Sequence, residues 1–161
     1  MTTIVVDIAG MEISSNPEDV LITYSLGSCV GVSIYDPVLH LGGMVHCMLP
    51  LSKVDPEKAA QRPYMFVDTG VSMMLNRLYD MGLRKSRAVI SVAGGAQVLD
   101  DKGVFKIGER NVTVLRKLFW KNSLLMHVQE VGGKTSRTVS LEIGSGRFNI
   151  KAAGITTHYD P

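Results

Sequence analysis

In the first third of the chain, apolar and polar residues alternate at every second position, a pattern typical of half-buried strands. It predicts strands over residues 2–8, 20–26, 30–35 and 42–49. Residues 10–19, between the first two, are polar and broken by a proline. No long helical segment separates these strands, so the strand–helix alternation of a doubly wound fold is excluded. We expect the chain to begin with a meander of strands.

The rest of the chain predicts two helices and four further strands. A polar loop over 52–63 leads into a helix whose apolar residues recur at helical spacing from Met65 to Met81, with Gly82 placed to end it. A second helix is predicted over 109–121. Further strands are predicted over 87–93, 124–131, 138–143 and 147–152, the last two as a hairpin. The expected fold is a compact α/β sandwich with a mixed, strand-rich sheet and two or three helices.

Length and composition limit the classes of protein. A chain of 161 residues is the size of one domain, and we expect 1–161 to form a single one. With 45% hydrophobic and 20% charged residues, disorder is not expected. A net charge of +2 gives no support for nucleic-acid binding. The second half is basic and the first acidic, which fits either a face for an acidic partner or an ordinary solvated surface.

The two cysteines, Cys29 and Cys47, are too few for a disulfide framework. The apolar N-terminal stretch is cut short by Asp7 and has no basic region before it, unlike a secretory signal. No apolar run approaches the roughly 20 residues that span a bilayer. We therefore expect a soluble, cytoplasmic protein with reduced thiols.

Several common cofactor sites have no counterpart in the sequence. The phosphate-binding G-x-x-x-x-G-K-[ST] pattern does not occur, and AGGA (93–96) lacks the remaining glycines of a dinucleotide-binding fingerprint. A tight exit from the preceding strand explains this motif better. Cysteines and histidines are not at zinc spacing, and His46 and Cys47, adjacent on a strand, should face opposite sides. We expect neither a cofactor nor a metal.

Cys29 is the leading candidate for chemistry. It follows Gly27 and Ser28 in a turn between two apolar strands, where backbone N–H groups can face a ligand and hold an oxyanion. His46 lies on the next strand, so we expect the two residues to be neighbours in space, where the imidazole would take the thiol proton. From the residues alone, Cys29 as a small buried hydrophobe and His46 as a structural histidine remain open.

Two motifs together resemble a known family. TYSLGSCV (23–30) followed by GMVHCMLP (43–50) is similar to the signature of the chemoreceptor glutamine deamidase family, CheD. AGGA, IGERN (107–111) and the glycine pair 132–133 followed by Arg137 also stand in the family's order. The resemblance covers about residues 5–152.

The resemblance implies that Thr23, Cys29 and His46 are the catalytic residues, in a fold similar to deamidating bacterial toxins. It implies hydrolysis of chemoreceptor glutamine side chains to glutamate and ammonia through a cysteine thioester, in chemotaxis adaptation. It also implies binding to, and stimulation of, the response-regulator phosphatase CheC. We expect the isolated chain to be a monomer.

Three other functions remain open at this point. The chain could act mainly as a regulatory module that docks on the phosphatase. The same thiol could support receptor methylesterase activity, which would release methanol rather than ammonia. A redox-regulated thiol at Cys29 or Cys47 is the third.

Overall fold

The computed structural model describes residues 1–98 and 106–161, which contain ten strands in two five-stranded sheets. One sheet has the order β1-β3-β8-β9-β10 and the other β2-β5-β4-β6-β7. Each sheet is mixed, because β1 pairs with β3 and β6 with β7 in parallel, whereas the remaining pairs are antiparallel. The strands are β1 (Thr2–Val5), β2 (Met11–Ser14), β3 (Asp19–Leu26), β4 (Val30–Asp36), β5 (Leu41–Cys47), β6 (Val89–Gly94), β7 (Met126–Val131), β8 (Arg137–Glu142), β9 (Phe148–Ala152) and β10 (Ile155–Tyr159).

Three α-helices complete the described fold: α1 (Pro56–Gln61), α2 (Val67–Asp80) and α3 (Ile107–Lys121). The predicted long helices are confirmed as α2 and α3, and Gly82, with φ +109°, follows the end of α2 as expected. The predicted hairpin is confirmed as β8 and β9. None of the helices in the described ranges has the length and apolar character needed to cross a membrane.

The order of the layers follows from the two apolar clusters in which the side chains of β4 are buried. Val30, Val32 and Ile34 pack in a cluster with α2 and α3, whereas Tyr35 belongs to a second cluster with residues of β3, β8 and β9. All seven positions of β4 are buried, because the helices cover one face of its sheet and the other sheet covers the opposite face. The protein is a three-layer stack of sheet, sheet and helices, and the predicted strand-rich α/β class is confirmed.

The predicted meander is wrong at the turn between its second and third strands, 20–26 and 30–35. β3 pairs with β1 and β8, whereas β4 pairs with β5 and β6, so residues 27–29 cross from one sheet to the other. Periodicity indicates which residues of a strand are buried, but not which strand lies beside it. The exposure of β3 is mixed while β4 is buried throughout, which is the difference expected if the two lie in different sheets.

The predicted loop over 52–63 is also wrong in part, because it contains α1. Asp55 accepts a hydrogen bond from the Lys58 backbone N–H at 3.1 Å, and Pro56 occupies the first helical position. This cap and proline form a recognised helix start, but six residues are too few for an apolar periodicity to emerge.

Strands β2 and β10 were not predicted either. β2 pairs with β5 at a sheet edge, in the segment interpreted as polar. β10 pairs with β9 across a two-residue turn, Ala153-Gly154, in which both residues have positive φ, and four of its five residues are exposed. Edge strands bury little surface, so they lack the alternation that predicts a strand.

Candidate active site

Thr23 and His46 meet at the interface between the two sheets. Thr23 lies on β3 and His46 on β5, and their side chains are 0% and 1% exposed. The Thr23 hydroxyl lies 2.7 Å from His46 Nδ1 and also 2.7 Å from the carbonyl oxygen of Val6. The backbone of His46 is fixed as well, by hydrogen bonds with Ala9 and Gly10 at 3.0 Å each.

This chain of hydrogen bonds determines which imidazole nitrogen carries the proton. A carbonyl only accepts, so the single Thr23 hydroxyl proton goes to Val6. The hydroxyl oxygen must then accept from Nδ1–H of His46. In the neutral ring this leaves Nε2 as the unprotonated, basic nitrogen. Nε2 is buried and has no hydrogen-bond partner in the described part of the chain.

Gly31 makes room for this pair. It lies opposite His46 in the β4–β5 ladder. A Cβ at Gly31 would come within 2.9 Å of Leu26 Cδ1 and 3.5 Å of Thr23 Cγ2. A side chain here would therefore displace the end of the Leu26 side chain and lie in van der Waals contact with Thr23. The glycine leaves the space between the two sheets at this position to the side chains of β3.

Cys29 lies on the same side of its sheet as His46. It directly precedes β4, in which Val30 pairs with Cys47 and Gly31 with His46. Because side chains alternate, Cys29 shares a face with position 31 and therefore with His46. In agreement, Cys29 packs against the apolar cluster between the two sheets and is only partly buried. The thiol is thus diagonal to the imidazole, at the rim of the buried site.

Burial favours the neutral forms of both groups. It raises the pKa of the Cys29 thiol, although a hydrogen bond from the residue's own backbone N–H opposes this shift. Burial also lowers the pKa of His46. At neutral pH the resting site therefore holds a thiol and a neutral imidazole, not an ion pair.

The remaining cysteine and histidines lie elsewhere. Cys47 is 0% exposed, belongs to the cluster between its sheet and the helices, and burial strongly raises its pKa. The expected opposite orientation of His46 and Cys47 is confirmed. His40 contacts Tyr35 and the carbonyl of Gly144, and the other two histidines, His127 and His158, are exposed on β7 and β10.

Three distant motifs meet at the turn before Cys29. The N–H of Ala96 donates to the Gly27 carbonyl at 2.8 Å, and the N–H of Gly95 donates to the Cys29 carbonyl at 2.9 Å. Asn111, in IGERN, donates from Nδ2 to the Ser28 carbonyl at 2.9 Å. The interpretation of AGGA as a tight strand exit is confirmed by φ values of +108° at Gly94 and +61° at Gly95, and Arg137 donates to the Gly94 carbonyl.

Sequence reasoning named Asn111 only as part of a motif and gave it no role. A signal was present: Asn111 lies on the apolar stripe of α3, four residues before Leu115 and eight before Phe119, both buried. A polar residue on such a stripe must find partners in the interior. Which partners these are depends on contacts with Ser28 and Met48 that no local pattern encodes.

A cleft of about 640 Å³ opens beside the turn. Gly27 and Ser28 line one side, and Lys106, Glu109 and Arg116 of the α3 region line the other. The cleft thus reaches the turn but stops short of the buried Thr23–His46 pair. Within residues 1–98 and 106–161 no group of three or more His, Cys, Asp or Glu side chains is arranged to hold a metal ion.

The family model described as "CheD chemotactic sensory transduction" matches residues 48–152, more than half of the chain. The chain belongs to the CheD family. The model match begins after His46, so the Thr23, Cys29 and His46 positions lie outside it. Full-length relatives cover the region that it leaves out.

Three of these relatives show the range of similarity. A protein of Syntrophus aciditrophicus, named probable chemoreceptor glutamine deamidase CheD 1, is 43% identical over 154 residues, covering 96% of each chain. A Solibacter usitatus protein with the same activity in its name is 46% identical, covering 96% of this chain and 91% of its own. A Pyrococcus horikoshii protein, also so named, is 34% identical over 82% of each.

Proposed function

We propose that this CheD-family chain hydrolyses glutamine side chains of chemoreceptors to glutamate and ammonia. Cys29 is the nucleophile, His46 the general base and acid, and Thr23 the residue that orients the imidazole. The observation that carries the proposal is the hydrogen-bond chain from Val6 through Thr23 to His46, which leaves a basic Nε2 on the same sheet face as a partly exposed thiol. The names of the relatives supply the substrate class.

The first half of the reaction forms a thioester. Nε2 of His46 takes the thiol proton as Sγ of Cys29 attacks the carboxamide carbon, and the carbonyl electron pair moves onto oxygen. When the tetrahedral intermediate collapses, the C–N bond breaks. The imidazolium gives its proton to the departing nitrogen, so ammonia leaves and the thioester remains.

The second half restores the enzyme. Nε2 accepts a proton from water as the water oxygen attacks the thioester carbon. The C–S bond then breaks, the sulfur regains a proton, and the product is a glutamate side chain. In both halves negative charge develops on the substrate oxygen, and we assign its stabilisation to backbone N–H groups of the turn formed by Gly27, Ser28 and Cys29.

The proposal is tested by incubating the protein with a chemoreceptor cytoplasmic fragment. Mass spectrometry maps Gln-to-Glu conversion, and ammonia is measured in the same reaction. Stoichiometric ammonia with conversion at defined glutamines supports the deamidase. A methylated receptor fragment is incubated in parallel to test the alternative methylesterase activity. Release of methanol without ammonia would contradict the proposed deamidation.

Replacing Thr23 separates orientation from nucleophilic attack. Thr23→Val keeps the shape but removes the oxygen that accepts from Nδ1, so we expect kcat to fall about 10²-fold, within the range contributed by a positioned proton-transfer group. Thr23→Ser retains the hydroxyl and should keep most activity. A loss in Thr23→Val as severe as that in Cys29→Ala would contradict a purely orienting role.

The directions of the two pKa shifts predict that the Cys29 thiol reacts slowly with alkylating reagents at neutral pH. The raised pKa of Cys29 and lowered pKa of His46 keep both groups neutral. We expect the rate of Cys29 alkylation by iodoacetamide to be low at pH 7 and to increase with pH past the ordinary thiol value of 9.0. Labelling is assigned to Cys29 by peptide mass spectrometry. A high rate that does not change between pH 6 and 8 would instead indicate a preformed thiolate–imidazolium pair.

The lowered pKa of His46 also predicts the pH dependence of kcat/KM. His46 must be neutral to accept the thiol proton, and its lowered pKa keeps it neutral below the ordinary value of 6.5. The acidic limb of the profile should therefore have its midpoint below pH 6.5.

The binding partner, the oligomeric state and the cellular location are part of the same proposal. We propose that the chain is a cytoplasmic monomer that docks on the phosphatase CheC and stimulates it. This part rests on the family resemblance. Stimulation that survives Cys29→Ala would show that docking and deamidation are separable.

A further inference from the structure

All three carbonyl groups of the turn 27–29 are held by the body of the protein. Those of Gly27 and Cys29 accept from backbone N–H groups of Ala96 and Gly95. The Ser28 carbonyl is different, because it accepts from a side chain, Nδ2 of Asn111 on α3, at 2.9 Å. Among the described residues, the orientation of the Ser28–Cys29 peptide therefore depends on one side-chain amide.

Asn111 is fixed in a single orientation. It is 0% exposed, and Nδ2 uses both of its hydrogens, one for Ser28 and the other for the Met48 carbonyl at 3.0 Å. A flipped amide would place Oδ1 against two carbonyl oxygens. Asn111 thus clamps the residue before Cys29 to a residue two positions after His46.

This clamp is not an efficient way to stabilise the fold. Oδ1 of Asn111 is buried without a hydrogen-bond partner among the described residues, and such a group carries a desolvation cost. A buried polar group that retains this cost is a candidate for a role other than stability.

The clamp orients the backbone N–H of Cys29. In a trans peptide the C=O and the following N–H point in opposite directions, so a fixed Ser28 carbonyl directs the Cys29 N–H away from α3. That N–H lies close to the residue's own sulfur, where it acts to lower the thiol pKa against the effect of burial. Within the described ranges, the N–H groups of Ser28 and Cys29 donate to no other protein group. An oxygen on a carbon bonded to Sγ would lie next to the Cys29 N–H.

We propose that Asn111 is a positioning residue for the oxyanion: by holding the Ser28–Cys29 peptide, it aims the Cys29 N–H at the substrate oxygen. This rests on the proposed thioester reaction. The oxyanion forms in acyl transfer but not in simple alkylation, because displacement of iodide from iodoacetamide passes through no tetrahedral intermediate. Deamidation and alkylation of the same thiol therefore separate positioning of the oxyanion donor from integrity of the nucleophile.

The test compares Asn111→Leu, which lacks both donors, with Asn122→Leu. Asn122 is a matched control, since it also donates from Nδ2 to a carbonyl, that of Leu118 at 2.7 Å, but lies at the far end of α3. For Asn111→Leu we expect kcat for deamidation to fall about 10²- to 10³-fold, as when an oxyanion donor is lost. Alkylation of Cys29 should fall by at most about tenfold, the effect of one pKa unit on the thiolate fraction. Asn122→Leu should keep both rates.

The outcomes separate the hypotheses. Equal losses of deamidation and alkylation in Asn111→Leu would reduce Asn111 to a structural role, and full activity would overturn the inference directly. If the leucine variant does not fold, the smaller Asn111→Ala variant undergoes the same two measurements. A wild-type protein that alkylates at Cys29 but releases no ammonia would overturn the proposed function itself, which distinguishes that failure from failure of the clamp.

Discussion

Cys29→Ala is expected to abolish deamidation, with a decrease in kcat of at least about 10⁴-fold, the scale seen when a catalytic nucleophile is removed. The thiol forms the covalent intermediate, and Ser28 and Gly27 beside it offer no second thiol. The measurement is Gln-to-Glu conversion of the receptor fragment over time. Circular dichroism and thermal unfolding of the same sample establish that the variant is folded.

Cys47→Ala is the matched control for this prediction. Cys47 is the other free cysteine, buried between its sheet and α2 on the opposite sheet face from His46. Its removal should cost about 1 kcal/mol of folding free energy, a typical value for a core truncation of this size, and leave kcat within a few-fold. Comparable losses in both variants would argue against Cys29 as the unique nucleophile.

Arg87→Met is expected to produce the largest loss of stability. The Asp36 carboxylate at the end of β4 is 0% exposed and accepts from Arg87 Nη2 at 2.7 Å and Nε at 3.0 Å. Without the guanidinium the Asp36 carboxylate keeps only the N–H groups of Val38 and Leu39 as partners, so we expect a larger loss than for an exposed ion pair. Urea unfolding at pH 7 measures the change in the free energy of unfolding.

The control for this effect is the exposed ion pair between Arg147 and Asp160, whose side chains are 44% and 73% exposed. Arg147→Met should cost less than about 1 kcal/mol, because water and salt screen the pair. Equal losses in the free energy of unfolding for Arg87→Met and Arg147→Met would show that the Arg87–Asp36 pair stabilises the fold no more than an exposed pair does.

The Arg87 effect should also depend on pH with a definite sign. Burial alone would raise the pKa of Asp36, but hydrogen bonds from Arg87 and from the N–H groups of Val38 and Leu39 outweigh it and lower the pKa below 3.8. A carboxyl with a lowered folded-state pKa contributes stability above its unfolded pKa and loses it as the pH falls through the folded value. The stability gap between wild type and Arg87→Met should therefore narrow below about pH 4.

The catalytic candidates illustrate how far sequence reasoning reaches. Alternation along β5 correctly placed His46 and Cys47 on opposite sides, since side-chain direction in a strand is a local property. The pairing of β4 with β5, which brings Cys29 near His46, follows from a short connection and was also predictable. The role of the Thr23 hydroxyl follows from the family resemblance alone, because β3 lies in the other sheet and meets His46 only across the interface between the two sheets.

The sequence alone determined the strand-rich α/β class, the two long helices, the glycine turn that ends β6 and the set of candidate catalytic residues. These depend on periodicity, turn chemistry and motif order, all of which are local or one-dimensional. The tertiary structure decided the separation of β3 from β4 into different sheets, the proton position on His46 and the hold of Asn111 on the Ser28 carbonyl. Each of these depends on groups far apart in the chain, such as Val6 with Thr23 and Asn111 with Ser28. Their contact is set by how sheets and helices pack, which no single segment encodes.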